Sequence, residues 1–135
     1  MRAYIGLGSN LGDREQNLHK AIALMGESVG SVLAVSSFYY SEPHGFISDN
    51  YFVNAAFLLE TQLSPIHLLH ALQDIEKQMG RTTKSIGGNY TDRIIDLDIL
   101  TYENEILDMP ELTLPHPRIM ERDFVLKPLR ELRGI

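Results

Sequence analysis

Apolar and polar residues alternate over residues 2–7, and this period of two predicts a β-strand. The glycine-rich stretch 6–12 predicts a turn after that strand. From about Asp13 the apolar residues recur at helical spacing, which predicts a helix that Gly26 would end. Two further strands are predicted over residues 32–40, which are rich in β-branched and aromatic side chains, and over residues 51–61. The first half of the chain is therefore predicted to run strand, helix, strand, strand.

A second helix and a fourth strand follow. Ser64 is a suitable N-cap, Pro65 suits the first helical position, and Gly80 follows the last turn. The apolar stripe of this helix comprises Ile66, Leu69, Leu72, Ile75 and Met79, and the residues at flanking positions are Gln73 and Glu76. Residues 94–100 predict the fourth strand, and their continuous apolar background predicts a central place in the sheet.

The remaining elements are short. Extended pieces are predicted around Ile106 and Leu112, and two short helical segments are predicted to end at Leu132. The order β-α-β-β-α-β is typical of the ferredoxin-like α+β fold, in which helices pack on an antiparallel sheet. No repeat, low-complexity tract or linker divides the sequence, so we predict a single domain over residues 1–135.

The composition narrows the classes of function. The chain has 135 residues, 44% of them hydrophobic, as expected of a globular domain with a buried core. Its formal net charge of −6 argues against a protein that mainly binds nucleic-acid phosphates. The absence of cysteine excludes thiolate catalysis, cysteine-ligated zinc and disulfides. We see neither a signal peptide nor a membrane span, and we predict a cytoplasmic protein.

The sharpest chemical signal is a pair of aspartates inside an apolar strand. Asp96 and Asp98 are two residues apart, so they project from the same face, while Leu97 projects from the other. Adjacent carboxylates repel each other unless a cation compensates them, and Mg²⁺ commonly takes one or two carboxylates together with water and substrate phosphates. The alternative is a half-exposed strand that carries two solvated aspartates.

Cationic residues concentrate on two segments beside this strand. They are Arg81, Lys84 and Arg93 before it, and His116, Arg118 and Arg122 after it. Carboxylates that hold metal ions, together with arginines that meet developing charge, are typical of phosphoryl transfer. Any one of these cations, taken singly, is more often a solvated surface residue, and it is their concentration on two segments that favours a functional role.

Two other patterns deserve an interpretation. Gly6 and Gly8 after a strand resemble part of a dinucleotide-binding motif, but Leu11 stands where its third glycine belongs. We therefore interpret these glycines and Gly12 as turn and close-packing residues. Asn54 lies among apolar residues, on the same face as Phe52. It is either a core amide with satisfied hydrogen bonds or the donor and acceptor for a planar ligand held by Phe52.

Together these motifs resemble the 6-hydroxymethyl-7,8-dihydropterin pyrophosphokinase family of folate biosynthesis. The resemblance runs in order along nearly the whole chain, through segments 4–12, 36–39, 52–56, 75–76, 80–81, 93–100, 114–117 and 124–129. Its most specific part is the Arg-x-x-Asp-Leu-Asp-Ile block at 93–99 with Leu-Pro-His-Pro downstream.

The resemblance implies an enzyme that transfers pyrophosphate from ATP to the hydroxymethyl group of the dihydropterin and releases AMP. It implies that Asp96 and Asp98 bind two Mg²⁺ ions and that Arg81 and Arg93 are catalytic. The residues that match nucleotide-binding positions are Gln73, Glu76, Lys84, Ile99, His116 and Arg122. The residues that match the pterin pocket are Ser41, Pro43, Gly45, Phe52, Asn54, Tyr90 and Phe124.

The resemblance also implies small-molecule substrates. The acidic charge and the lack of a membrane span predict no nucleic-acid or membrane partner, and the lack of a long exposed apolar helix predicts a monomer. The chain departs from the family pattern at His44, Asn89 and Asp92. Three other classes of function remain open: a non-catalytic ferredoxin-like binding module, an RNA-binding sheet, and a two-metal nucleotidyl transferase. The acidic charge argues against the second of these.

Overall fold

The computed structural model describes residues 1–41, 51–80, 94–117, 119 and 123–133, with residues 41, 123 and 124 described by their backbone alone. Its main sheet has five strands: β1 (Arg2–Ser9), β2 (Ser31–Val35), β3 (Tyr39–Ser41), β4 (Phe52–Glu60) and β5 (Asp96–Tyr102). Three helices accompany it: α1 (Arg14–Ser28), α2 (Pro65–Gln78) and α3 (Asp123–Arg133). Two short strands, β6 (Leu107–Asp108) and β7 (Thr113–Leu114), pair with each other.

The sheet has the order β2-β4-β1-β5, with β3 also paired to β4, and every pairing is antiparallel. If β2 and β3 are taken as one interrupted strand, the chain order is β-α-β-β-α-β. This confirms the predicted ferredoxin-like α+β class. None of the described helices is long and apolar enough to cross a membrane.

The two faces of the sheet are covered differently. On one face, α1 and α2 pack on large apolar side chains of β1, β4 and β5, and the result is the main core. Its fully buried helical members are Leu18, Ala21, Met25, Leu68 and Leu72. On the other face, α3 contributes to a smaller cluster around Leu100.

The helix ends agree only in part with the prediction. Asp13 caps α1, since its Oδ1 accepts a hydrogen bond from the Gln16 N–H at 3.2 Å. The prediction that Gly26 ends this helix was wrong. Gly26 has no positive φ and lies within the helix, which continues to Ser28. In α2 both predicted ends are confirmed: Ser64 is the N-cap, and Gly80 adopts a φ of +97° after the last turn.

The predicted strand over residues 32–40 is two strands, β2 and β3. Between them the side chain of Ser36 takes part in the strand pairing, because its Oγ accepts from the Ala56 N–H at 2.9 Å. The Ser36 N–H in turn donates to the Ala56 carbonyl at 2.9 Å. A side-chain partner of this kind competes with regular strand pairing and interrupts the strand.

The predicted central place of the fourth strand was wrong, because β5 is the last strand in the order of the described sheet. Its apolar residues are explained by cover on both faces. Its outer edge is covered as well: the Leu97 N–H donates to Glu76 Oε2 at 2.9 Å, and the Leu100 carbonyl accepts from the His116 N–H at 2.8 Å. Burial on all sides therefore made an edge strand resemble a central one.

The last predicted elements are partly confirmed. The extended pieces around Ile106 and Leu112 correspond to β6 and β7. The second of the two predicted helical segments corresponds to α3, which ends at Arg133, one residue after the predicted Leu132. The first falls on residues 118–122, of which only residue 119, in a 3-10 helical turn, is described. Pro128 lies inside α3 and did not end it.

Candidate active site

The candidate site lies on the sheet face opposite α1 and α2. In the antiparallel register, Gly8 pairs with Asn54 on one side and with Asp96 on the other. Gly6 likewise pairs with Ala56 and with Asp98. Residues directly opposite each other in antiparallel strands project from the same face. Asn54 and Asp96 therefore share one row across the sheet, separated by a glycine, and Ala56 and Asp98 share the next.

The two glycines add no side chains to this part of the sheet surface, where neighbouring side chains lie close to the backbone. A Cβ on Gly8 would lie 2.9 Å from Asn54 Oδ1 and 3.5 Å from Phe52 Cδ1, and one on Gly6 would lie 3.3 Å from Leu100 Cδ2. Their interpretation as close-packing residues is confirmed. Their assignment to a turn was wrong, because β1 extends to Ser9 and the positive φ of 67° belongs to Gly12. We call the surface formed by Gly6 and Gly8 the glycine floor.

The aspartates line one side of the glycine floor. Leu97 and Ile99 are 4% and 2% exposed and belong to the main core, whereas Asp96 is half-buried and Asp98 is exposed. The predicted alternation is thus present. Carboxylate oxygens at this partly solvated edge suit a hard divalent cation that completes its coordination with water and phosphate oxygens. Within the part of the chain that the structure describes, no group of three or more His, Asp or Glu could hold a metal ion without such added ligands.

Phe52 and Asn54 lie at the other side of the glycine floor. Phe52 is half-buried and Asn54 is 3% exposed, so an aromatic face and an amide lie side by side on β4. The backbone of Ser41 pairs with Phe52 at the end of β3. Phe124 belongs to α3, and the other predicted pterin residues, Pro43, Gly45 and Tyr90, lie outside the described residues, as does His44.

Two of the predicted nucleotide residues meet the outer edge of β5. Glu76 and His116 contact the Leu97 and Leu100 backbones there. Gln73 is half-buried one turn before Glu76 on α2. The side chain of Ile99 is in the main core, so it would reach a nucleotide through its backbone. The remaining cationic residues of the prediction lie outside the described residues: Arg81, Lys84, Arg93, Arg118 and Arg122. Two departures from the family pattern, Asn89 and Asp92, lie outside them as well.

Sequence reasoning misplaced Glu76. We predicted a flanking position, but Glu76 is 8% exposed, because α2 lies against β5 and its carboxylate meets a strand N–H. Leu68 takes a place in the buried stripe that the prediction did not include. The spacing contained a signal, since Glu76 follows Leu72 by four residues and so lies on the same helix face.

Contacts near β3 were also missed, because they join residues far apart in sequence. Arg14 Nη1 donates to the Tyr51 carbonyl at 2.8 Å, and the Tyr40 hydroxyl donates to Glu15, so the start of α1 holds the chain on both sides of segment 42–50. Glu131 on α3 accepts from the Ser37 N–H at 2.8 Å and from the Tyr39 hydroxyl.

The contact between Glu131 and Tyr39 shifts both pKa values. The hydrogen bond from Tyr39 lowers the pKa of Glu131, and the bond from the Ser37 N–H lowers it further. The same carboxylate raises the pKa of the Tyr39 hydroxyl, chiefly through the hydrogen bond. Each partner therefore favours the other's form at neutral pH, the carboxylate and the neutral phenol.

Comparisons with solved structures support the fold. The solved structure of an HPPK-DHPS in complex with substrates superimposes with a TM-score of 0.75 at 14% identity, over 97% of this chain and 40% of that one. A wild-type HPPK-DHPS of Plasmodium falciparum gives a TM-score of 0.71 at 14% identity, over 96% and 40%. At such identities these structures support the fold alone, and this chain spans about 40% of their length.

Sequence relatives are much closer. The 2-amino-4-hydroxy-6-hydroxymethyldihydropteridine pyrophosphokinase of Porphyromonas gingivalis is 47% identical, over 96% of this chain and 88% of that protein. The Bacillus subtilis protein of the same name is 44% identical, over 96% and 77%. The family model for 7,8-dihydro-6-hydroxymethylpterin-pyrophosphokinase matches residues 4–134. A match of this extent, with the aspartates and the glycine floor in place, shows that the chain belongs to the 7,8-dihydro-6-hydroxymethylpterin-pyrophosphokinase family.

Proposed function

We propose that this chain transfers the pyrophosphoryl group of ATP to the hydroxymethyl group of 6-hydroxymethyl-7,8-dihydropterin, giving the pterin diphosphate and AMP in folate biosynthesis. The observation that carries the proposal is the placement of Asp96 and Asp98 across the glycine floor from Phe52 and Asn54, in a member of this family. One side offers ligands for metal-bound phosphates, and the other offers an aromatic face and an amide for a flat heterocycle.

Asp96 and Asp98 would hold two Mg²⁺ ions, and the donor set fits them: two hard oxygen ligands at a partly solvated strand edge. When bound, the ions neutralise phosphate charge and make the attacking hydroxyl more acidic. Arg81, Lys84 and Arg93 precede β5 in sequence, and we propose that their cationic groups neutralise the triphosphate.

The pterin would lie against Phe52, with Phe124 as the proposed second ring and Asn54 bonded to the hydrogen-bonding edge of the heterocycle. Ser41, Pro43, Gly45 and Tyr90 would complete the pocket. With the ring in this position, the hydroxymethyl group extends over the glycine floor toward the aspartates. Alignment of the reacting atoms, and no dedicated general base, would supply much of the rate.

The reaction would be an in-line displacement at the β-phosphorus. The hydroxymethyl oxygen forms a bond to that phosphorus, and the bond from the β-phosphorus to the oxygen bridging it to the α-phosphate breaks. AMP leaves with that oxygen, and the hydroxyl proton passes to solvent. Gln73, Glu76, Ile99, His116 and Arg122 would hold the nucleotide along the outer edge of β5, which keeps the leaving group beside the carboxylates. We further propose a cytoplasmic monomer that acts on these small molecules.

The first experiment is product analysis. We expect the protein, given ATP, Mg²⁺ and 6-hydroxymethyl-7,8-dihydropterin, to release AMP in a one-to-one ratio with pterin consumed, and to release none when either pterin or Mg²⁺ is omitted. AMP attached to the acceptor would instead identify a nucleotidyl transferase, and ADP an ordinary kinase. Binding of both ligands without turnover would identify a binding module.

A further inference from the structure

Glu76 is a buried acidic residue on α2 and is 8% exposed. It faces β5, the strand that carries the aspartates. Its Oε2 accepts the Leu97 N–H at 2.9 Å. Leu97 lies between Asp96 and Asp98, so the bonded amide belongs to the peptide unit that joins the first aspartate to its neighbour.

An edge strand needs partners for the N–H groups that point away from the sheet. β5 is such a strand, and a carboxylate supplies the partner here. A hydrogen bond to an ionised group is shorter and stronger than one between neutral groups. The acceptor is also rigidly held, because the neighbouring residues Leu72 and Ile75 on α2 are 0% and 2% exposed.

A second contact fixes the same edge three residues further on. The Leu100 carbonyl accepts from the His116 N–H at 2.8 Å. Between these two contacts lies Asp98, which pairs with Gly6 on the inner side. The pairing of β1 with β5 is regular from Asp96 to Ile99 and changes register only beyond it, between Tyr4 and Ile5, so β1 holds the inner edge of the acidic segment and its outer edge needs a separate constraint. The outer contacts supply that constraint.

We propose that Glu76 is a positioning residue for the metal site: through the Leu97 N–H it sets the spacing and direction of the Asp96 and Asp98 carboxylates. The proposal rests on the proposed function and assigns Glu76 a role separate from contact with the nucleotide. Residues behind metal ligands commonly change metal affinity about 10-fold to 100-fold when they are removed.

The test uses variants that separate charge from hydrogen bonding. Glu76→Met keeps the length of the side chain and removes the acceptor. Glu76→Gln keeps a carbonyl acceptor and removes the charge. Asp74→Asn is the matched control, because Asp74 is an exposed acid on the same helix and loses the same charge. Circular dichroism tests whether each variant is folded.

Two measurements are made on each variant: the Mg²⁺ concentration that gives half-maximal activity at saturating substrates, and Mn²⁺ binding followed by water-proton relaxation with a non-hydrolysable ATP analogue. We expect Glu76→Met to raise the half-maximal Mg²⁺ concentration and the dissociation constant of Mn²⁺ by about 10-fold or more. For both quantities, Glu76→Gln should lie between Glu76→Met and the wild type, and Asp74→Asn should match the wild type. The KM for pterin should remain unchanged in all of them.

A Glu76→Met variant that raises only the KM for ATP, with unchanged Mg²⁺ and Mn²⁺ dependence, would overturn the positioning role and leave a nucleotide contact. If Glu76→Met does not fold, an unchanged metal dependence in Glu76→Gln, together with a shifted Leu97 amide resonance in its ¹H–¹⁵N spectrum, would overturn it, because the bond would have changed without an effect on the metal site. A wild type that binds Mn²⁺ with the ATP analogue but forms no pterin diphosphate would refute the proposed function instead, and the Mn²⁺ comparison among variants would still decide the role of Glu76.

Discussion

The two faces of the sheet are built from alternate residues of the same strands, yet they have opposite character. On β1, Ala3, Ile5 and Leu7 are buried under the helices, whereas Gly6 and Gly8 form a floor with no side chains. On β5, Leu97 and Ile99 join the core, whereas the residues between and before them are acidic. The face under α1 and α2 therefore holds the main core and supplies most of the stability, and the opposite face, beyond the smaller cluster with α3, can carry groups that would destabilise a core. Substitutions on the two faces should differ in what they change.

The largest effect is expected from the aspartates. Asp96→Ala or Asp98→Ala should lower kcat by at least about 100-fold, because each removes a ligand of the Mg²⁺ ions whose charge stabilises the transition state. Both variants should remain folded, since removing one of two neighbouring like charges relieves repulsion. Steady-state kinetics and circular dichroism measure these two quantities.

Asp108→Ala serves as the control for the aspartates, because Asp108 is an exposed acid on β6. Its kcat should equal that of the wild type. Activity near the wild-type level in either Asp96→Ala or Asp98→Ala would remove the metal-site assignment.

The next effect concerns the covered face. Ile5 is 0% exposed, and Ile5→Ala should lower the free energy of unfolding by about 2–5 kcal/mol through lost burial and the cavity left behind. Urea unfolding measures this loss. Below the unfolding transition, the KM values of the remaining folded protein should be unchanged. A raised KM for pterin with intact stability would contradict the separation of the two faces.

A smaller change is expected from the glycine floor. Gly8→Ala places a methyl group 2.9 Å from Asn54 Oδ1, so the amide must move. We expect the KM for pterin to rise by about 10-fold, since a displaced amide loses roughly one hydrogen bond to its ligand. The free energy of unfolding should fall by about 1–3 kcal/mol because of overpacking.

Gly26→Ala is the matched control for Gly8→Ala. Gly26 lies in α1 with no atom within 4 Å of an added Cβ, so the same methyl group meets open space. This variant should raise the free energy of unfolding by about 0.5–1 kcal/mol and leave the KM for pterin unchanged. Equal kinetic effects of the two substitutions would show that the glycine floor is not needed for pterin binding.

The smallest effect is a pH dependence of stability at the contact between α3 and β3. Because the pKa of Glu131 is lowered in the folded protein, its contribution is present above the ordinary carboxyl pKa and is lost as pH falls through the lowered value. The raised pKa of Tyr39 gives a contribution that is present below the ordinary phenol pKa and is lost as pH rises through the raised value.

Glu131→Gln should therefore be slightly less stable than the wild type at neutral pH, and the difference in free energy of unfolding should shrink as the solution is acidified. Thermal unfolding at a series of pH values measures it. Tyr39→Phe tests the alkaline side in the same way. A stability difference that stays constant with pH in both variants would contradict the assignment of these pKa shifts to the contact.

Much of the fold could be predicted because it depends on patterns among residues close together in the sequence. The period of two in β1 and the Ser64 cap with Pro65 are written in neighbouring residues, and the order of elements fixed the fold class. The sequence could not show that an added methyl group would meet Asn54 at position 8 and open space at position 26, since this depends on the residues that surround each glycine in the fold. The same limit explains the edge position of β5, whose outer partners come from α2 and from His116.

The candidate site shows the same division. Asp96 and Asp98 were identified from the strand period alone, because charge inside an apolar strand is a local anomaly. Their proximity to Asn54 required the register of β1 against both neighbouring strands. Glu76 was named as a nucleotide residue through the family resemblance, but its bond to Leu97 joins positions 21 residues apart and left no trace in local pattern.

The covered outer edge of β5 also bears on solubility. An edge strand with free backbone groups is a template on which another chain can add a strand, and this is a common route to aggregation. On β5, the outer N–H of Leu97 is already bonded to Glu76, and the outer carbonyl of Leu100 is already bonded to His116. The same two contacts that hold the acidic strand in place thus make it a poor template, and the exposed charge of Asp98 adds a further obstacle to a second strand.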